Sequence, residues 1–273
     1  MSLDDRIAGH YANGTLARTL SAALREAAPD RPLTAEDLAP VDEFHIGGRT
    51  ATAHFVEQLG IAVDSRVLDV GSGIGGTSRY VATRYGASVT GVDLTPEYCE
   101  VASMLSELVG LSDRVRYRQG SALGLPFDDG EFSLATMLHV GMNVPDKPGL
   151  FREVQRVLEP GGVFGIYDIL GVGADELDFP VPWAATPETS FLATVEEMRS
   201  ALDAAGFTIE VESDRSAVAR EFFQRLGGQA SQGPPPLGLH LLMGDDFATK
   251  VANMARNVET GRCAPWELIC RKR

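Results

Sequence analysis

The sequence is short of cysteine, of positive charge and of long apolar runs, and each shortage removes a class of protein. The three cysteines, Cys99, Cys263 and Cys270, are odd in number and show no CxxC spacing. They make neither a disulfide framework nor a zinc-ligand set, no other metal site is evident, and reduced thiols in a cytoplasmic protein suit them better. There are 24 Lys and Arg against 38 Asp and Glu, a formal charge of −14. Without clustered basic residues the chain has no electrostatic footprint for nucleic acid. The one basic cluster, C-terminal Arg271-Lys272-Arg273, reads as a solvated tail. No stretch approaches the ~18 apolar residues of a membrane-spanning helix. The N-terminus lacks the basic segment and apolar stretch of a secretory signal. Internal repeats are absent too. What remains, 44% hydrophobic and 23% charged in 273 residues, is the composition of a cytoplasmic enzyme or small-molecule binder.

Residues 1–60 read as an N-terminal helical cap. Apolar residues at mixed three- and four-residue spacings run from Ile7 to Leu24, Pro29 and Pro32 interrupt them, and Thr34 in Thr34-Ala35-Glu36-Asp37 caps a new helix. From Ser65 the period changes. Arg66 to Val70 and Ala87 to Asp93 are short apolar runs that suit buried parallel strands, with room between them for one helix. Thr95-Pro96 opens a helix with Tyr98, Val101, Leu105 and Leu108 on one face. Val115–Gln119 and Phe132–Leu138 follow as strands, after an Asp128-Asp129-Gly130 turn. A helix striped by Leu150, Phe151, Val154, Val157 and Leu158 is ended by Pro160-Gly161-Gly162, and Val163–Leu170 is a fifth strand. The Thr194-x-x-Glu197 capping box opens another helix. Phe207–Val211 and Trp266–Cys270 complete the set. This alternation predicts an α/β fold: residues 61–273 form a doubly wound, mostly parallel, seven-stranded sheet with helices on both faces. A helical insertion at about 212–262, near Ala217–Leu226 and Asp245–Val258 around a Gly227-Gly228…Gly233-Pro234-Pro235-Pro236 breaker run, precedes the last strand.

The most informative stretch is Asp69-Val70-Gly71-Ser72-Gly73-Ile74-Gly75-Gly76. Glycines after a strand let the backbone turn tightly against a ligand and expose the amides of the next helix. Gly71, Gly73 and Gly76 satisfy GxGxxG, so an NAD-dependent oxidoreductase is one reading. Asp69, two residues before the first glycine, would oppose a pyrophosphate and suit a cationic ligand. Asp93 closes the second strand, where it can grip ribose hydroxyls in either kind of site.

The runs VLDVGSGIGG, VTGVDLT, GSALGLPFDDGEFSLATMLHV and LFREVQRVLEPGGVFGIYD, covering about 60–170, resemble the class I S-adenosylmethionine-dependent methyltransferases of the type 11 kind. The resemblance implies a Rossmann-like methyltransferase fold and S-adenosyl-L-methionine as cofactor, with S-adenosyl-L-homocysteine as product. It implies that Asp69, Gly71, Ser72 and Gly73 line the amino-acid end of the cofactor, that Asp93 and Leu94 meet the ribose, and that Ser121, Ala122 and Leu123 lie beside adenine. Ser121 stands where the family usually has Asp; a hydroxyl can still accept from the adenine amine, without charge.

For the acceptor, His139 follows the fourth strand at the sheet's ligand edge and is the right type of side chain to take a proton near neutral pH. The fragment MLHVGMN is similar to the corresponding stretch of phosphoethanolamine and sarcosine/dimethylglycine N-methyltransferases. That similarity implies a histidine in the acceptor pocket, an N-terminal tyrosine over the cofactor (Tyr11, the only one before Tyr80) and a segment beside the cofactor matched by Phe44-His45-Ile46-Gly47-Gly48. His139 and Tyr11 are thus the catalytic candidates and His45 a further cofactor contact. Those phosphobase enzymes carry an arginine where this chain has Leu134-Ala135-Thr136, which argues against a phosphorylated acceptor. Asp168, at the end of the fifth strand, could hold an ammonium group, and Trp183 could wall the pocket by cation–π contact. His10, His54 and His240 read as structural. The expected function is methyl transfer to a small-molecule acceptor, an amine nitrogen before a hydroxyl or carbon, with no nucleic-acid or membrane partner. A non-catalytic S-adenosylmethionine-binding protein is the reading from another class. Oligomeric state is not written in the sequence, and a homodimer is compatible with it.

Overall fold

Val67, Leu68 and Val70 of β1 (Arg66–Val70) are all buried, as a central parallel strand covered on both faces requires. The computed structural model describes residues 2–12, 14–27, 31–173, 175–229 and 235–273; Pro29, Gly233 and Pro234, read above as breakers, lie outside the described residues. β1 is joined by β2 (Ser88–Asp93), β3 (Val115–Gln119), β4 (Phe132–Leu138), β5 (Leu158–Gly171), β6 (Phe207–Asp214) and β7 (Cys263–Lys272) in a seven-stranded sheet of order β3-β2-β1-β4-β5-β7-β6. The first five strands of that order run parallel, and β7 lies antiparallel to both β5 and β6.

Helices α1 (Leu3–Tyr11), α2 (Leu16–Ala27), α3 (Ala39–Asp42) and α4 (Gly48–Glu57) precede the sheet. The crossovers are α5 (Gly76–Tyr85), α6 (Pro96–Leu108), α7 (Lys147–Val157) and α8 (Val195–Ala204), and α9 (Ser216–Gln229), α10 (His240–Met243) and α11 (Phe247–Glu259) stand between β6 and β7. Alternation along β1 splits the core. Leu68 and Val70 join Leu150, Phe151 and Val154 of α7 on one face, while Val67 joins Phe55 and Val56 of α4 and Val81 of α5 on the other. α8 begins as its capping box predicts: Thr194 Oγ1 accepts from Glu197 N at 3.2 Å, and Thr194 N donates to Glu197 Oε2 at 2.8 Å.

Several details differ from the sequence reading. The stretch from Ile7 to Leu24 is two helices, because Gly14 turns at φ 69° and the Glu97 carboxylate of α6 accepts from Gly14 N (2.9 Å) and Leu16 N (3.0 Å). That carboxylate serves the N-terminus of α2 from 81 residues away, which no local pattern reveals. β5 begins at Leu158, ahead of Pro160-Gly161-Gly162, since Leu158 already pairs with Phe132 before a register shift. Leu108, at the end of α6, is exposed. Arg271-Lys272-Arg273 is no loose tail: Arg271 and Lys272 extend β7, Arg271 Nε meets Glu210 Oε1 at 2.6 Å and Arg273 Nη1 meets Asp203 Oδ1 at 2.8 Å.

Strand order reverses direction between β1 and β4, and the carboxyl ends of these two neighbours open a crevice where such sheets take ligands. Because β7 is antiparallel, the chain leaves β6 and re-enters β7 at this same edge. The α9–α11 segment is therefore held over the crevice. Among the described residues, no helix is long and apolar enough to cross a membrane.

Candidate active site

The turn after β1 is shaped by what it must avoid. Gly71 has φ 68° and donates its N–H to Val92 O at 2.7 Å; a Cβ there would lie 2.3 Å from Val140 Cγ2. Glycine thus lets the β1 turn and the β4 turn touch. Gly73, with φ 54°, has open space where a side chain would point. Its N–H donates to Asp93 Oδ2 at 2.8 Å, while Asp93 Oδ1 accepts from Thr95 N at 2.8 Å. Burial raises the Asp93 carboxyl above its ordinary range, against those two amides. Each oxygen retains a lone pair for a further donor.

A cavity of about 1100 Å³ opens from this turn, and the twelve residues named from sequence as catalytic or cofactor-binding line it: Tyr11, His45, Asp69, Gly71, Ser72, Gly73, Asp93, Leu94, Ser121, Ala122, Leu123 and His139. Trp183 lines it as well, with its indole N–H donated to Ser190 Oγ at 2.9 Å. Ser121 sits in a turn, its Oγ accepting from Leu123 N at 3.4 Å, and the Ser72 hydroxyl is buried without a hydrogen-bond partner.

Two further acids are buried near the glycine turn. Asp69 is held by two hydroxyls, Oδ2 accepting from Ser78 Oγ at 2.7 Å and Oδ1 from Thr136 Oγ1 at 2.9 Å, and like Asp93 it keeps a lone pair on each oxygen. Burial pushes it up to about 6, opposed by those hydroxyls. Asp168 is absent from the lining and buried beneath the 141–143 turn, with Oδ1 accepting from Ile169 N at 2.9 Å. Burial pushes it up to about 7 against the positive charge of Lys147.

His139 is, among the described residues, the one non-glycine with positive φ, 54°. Its N–H donates to Tyr167 O at 2.7 Å, which fixes the turn as the chain leaves β4. Ile46 N donates to Nε2 at 3.4 Å, an assignment that puts the ring proton on Nδ1, and Nδ1 is buried without a partner. Burial, then the neighbouring His45, push the imidazole well below its ordinary value, with the contact to Tyr167 acting the other way. The His45 ring lies 5.7 Å from that of His139, but its Nε2 is held by Glu43 Oε2 and Thr52 Oγ1, each at 2.9 Å. His45 is therefore tied into a buried polar group behind His139. Of the histidines read as structural, His10 bonds Pro182 O at 3.0 Å, His54 faces Glu267 at 3.5 Å and His240 packs on Phe247.

Tyr11 closes the cavity from α1. Its hydroxyl donates to Asn143 Oδ1 at 2.8 Å, and Asn143 Nδ2 donates to Trp183 O (3.0 Å) and Thr189 O (3.1 Å). Sequence reasoning missed Asn143 as a junction; it stood inside MLHVGMN, but its partner is 132 residues away. It also missed the buried Arg79–Asp42 pair, Nη2–Oδ1 2.5 Å, which anchors α3 to α5 beneath the glycine turn.

A glycine turn after β1, an acid closing β2 and this strand order define the class I methyltransferase fold. The groups fit S-adenosylmethionine: an open glycine face, a carboxylate with lone pairs to spare and an unpartnered serine hydroxyl adjoin one another. Residues 68–166 match the family model described as a methyltransferase domain. The chain is 35% identical over 117 residues to a sterol 24-C-methyltransferase of Gibberella zeae, covering 43% of this chain and 31% of that protein. It is 45% identical over 95 residues to a probable chloroplastic tocopherol O-methyltransferase of Oryza sativa subsp. japonica, covering 35% and 26%. It thus spans about a third or less of the length of these two relatives. The solved geranyl diphosphate C-methyltransferase of Streptomyces coelicolor A3(2) covers 100% of this chain and 99% of its own, with TM-score 0.73 and 17% identity, a likeness of fold. Residues 68–166 thus carry a methyltransferase domain, on the fold of the class I S-adenosylmethionine-dependent enzymes.

Proposed function

We propose that the protein transfers a methyl group from S-adenosylmethionine to a small molecule, with His139 receiving the acceptor's proton. The observation that carries this reading is that the Gly71–Gly73 turn, Asp93 and His139 line one continuous cavity. Bound there, the cofactor supplies an electrophilic methyl on a sulfonium. The chain's part is to hold, align and keep water out. Asp93 would accept from the ribose hydroxyls, Gly73 gives the backbone a close approach, Leu94 flanks the ribose, and Ser121 to Leu123 flank adenine. A neutral His139 has its lone pair on Nε2, where the 3.4 Å contact to Ile46 N is long enough for an acceptor hydroxyl to replace.

The named relatives act at carbon and oxygen and solved neighbours of the same fold include a phosphoethanolamine N-methyltransferase, so the acceptor atom is part of the proposal. An ammonium acceptor would want a carboxylate to itself, and the inner ones already have partners: Asp42 has Arg79, Glu43 has His45 and Arg49, Asp69 has two hydroxyls, and Asp93 has two backbone amides and, in this reading, the ribose. That favours a hydroxyl over the amine expected from sequence. Three unpaired, buried cysteines support the cytoplasmic compartment as a proposal of the same standing. Titration calorimetry should give binding of adenosylhomocysteine and none of NADH. Tritium from methyl-labelled S-adenosylmethionine should enter a hydroxylated acceptor. Adenosylhomocysteine binding without methyl transfer to any member of a broad acceptor panel would favour a non-catalytic binder.

A further inference from the structure

Beyond Met142 and Trp183 the cavity changes character. Its wall there is built by Phe222, Phe223 and Leu226 of α9, and Val251 and Met254 of α11. Met254 packs with Ile46, Ile169, Met142 and Trp183 in one apolar cluster, with Phe222 and Phe223 against it. Ile46 is the residue whose N–H meets His139 Nε2, so the apolar wall starts where the proton acceptor stands.

Charge is missing from this wall in both signs. Among the described residues, the one Lys or Arg that lines the cavity is Arg49, which is paired with Glu43 at 2.9 Å and lies over the Tyr80 ring at 4.7 Å. The other lining carboxylates are Asp93, at the nucleoside turn and assigned to the ribose, and Asp4 and Asp245, both exposed. A charged group carried into this wall would lose water and find no partner. Hydrocarbon would gain from every methylene buried. At about 1100 Å³ the cavity exceeds the roughly 300–1,000 Å³ of a pocket for one drug-sized ligand, which leaves room for a second sizeable body beside the nucleoside.

We propose that the acceptor is an uncharged, mostly hydrocarbon molecule of terpenoid size, whose body lies against α9 and α11 while one hydroxyl reaches His139. This assignment rests on the methyltransferase reading and narrows its substrate class. It separates the chain from relatives of the same fold that take a diphosphate, because no free cation waits for one among the described lining residues.

The test uses the full chain, with adenosylhomocysteine binding followed by calorimetry and the acceptor wall followed by Nile red fluorescence. In the presence of adenosylhomocysteine, Nile red should bind and farnesol should displace it. Farnesyl phosphate should need at least tenfold higher concentration, and choline should leave the signal unchanged. Val251→Asp should weaken both Nile red and farnesol at least tenfold while adenosylhomocysteine binds within threefold of the parent. Should that variant fail to fold, Phe222→Ala, which trims the same wall without adding charge, should weaken farnesol about fivefold. Adenosylhomocysteine binding with no Nile red binding, or choline or farnesyl phosphate competing as well as farnesol, overturns the apolar acceptor. Nile red and farnesol binding without any adenosylhomocysteine binding overturns the methyltransferase reading instead.

Discussion

The two ends of the cavity are built by opposite means. At the cofactor end, hydrogen-bonding groups from two adjacent strands, some twenty residues apart, converge through backbone geometry: Gly73 N reaches Asp93 directly, and Gly71 N reaches the Val92 carbonyl. At the acceptor end, side chains from α1, α9, α11 and the 141–143 turn meet across more than a hundred residues of chain, and their contacts are mostly apolar. The first end is fixed by hydrogen bonds between neighbouring strands. The second depends on helices that must be brought to it, so substitutions there should alter the acceptor and spare the nucleoside.

The largest effect should come where the two ends meet. His139→Ala should lower kcat by about 10²–10⁴, the usual worth of a general base, with adenosylhomocysteine affinity within threefold of the parent. Equal losses in rate and in nucleoside affinity would erase the distinction between the ends. The pH profile sharpens it. His139 is held well below its ordinary value, so the acid limb of kcat/KM should fall below the histidine reference of about 6.5 rather than at it. The sign for stability is the same: the neutral buried ring favours the fold above about 6.5, and that contribution is lost as pH drops through the lower folded value.

Next in size is Asp93→Ala. Two charge-assisted hydrogen bonds of roughly 1.5–3 kcal/mol each, with incomplete additivity, suggest a loss of about 2–4 kcal/mol in adenosylhomocysteine affinity by calorimetry. Binding within threefold of the parent would remove Asp93 from the ribose. The glycines give a paired test in thermal unfolding. Gly71→Ala and Gly73→Ala share a left-handed backbone cost of about 1–3 kcal/mol, but Gly71 adds a collision with Val140 where Gly73 adds none. Gly71→Ala should therefore unfold at the lower temperature, and the reverse order would contradict the geometry of the turn. Tyr11→Phe should be mildest. It removes one neutral hydrogen bond to Asn143, worth about 0.5–1.5 kcal/mol, and should raise the acceptor KM a few-fold with the nucleoside unaffected.

The same division governs what the sequence could tell. The strand runs, Thr194 capping box, glycine turn and Asp93 were legible because each is a pattern within about ten residues, or a strand end fixed by its neighbour. Asp69 was visible as a residue, but the Ser78 and Thr136 hydroxyls that hold its oxygens come from a helix and another strand and were not. The break between α1 and α2 was hidden because the carboxylate that serves it sits on α6. The acceptor wall was the least legible part. Helical pieces at 217–226 and 245–258 could be read, and with residues 1–60 could be expected to cover the sheet's ligand edge, but which of their side chains form the wall is set by packing between elements far apart in the chain.

That antiparallel strand has an evolutionary consequence. Asp214, where β6 ends, is paired with Trp266 of β7, so the two feet of the intervening segment stand on neighbouring strands. Loop-closure entropy grows only slowly with length, and here the ends are already joined by the sheet. The segment is in effect an exchangeable cassette: its helices can be lengthened, shortened or replaced with little strain on β1 and β2, so long as Leu237 and Leu242 keep their place in one cluster with Ile74 of the nucleoside turn. A lineage could keep one methyl donor and retool its acceptor by rewriting about fifty residues between two fixed posts.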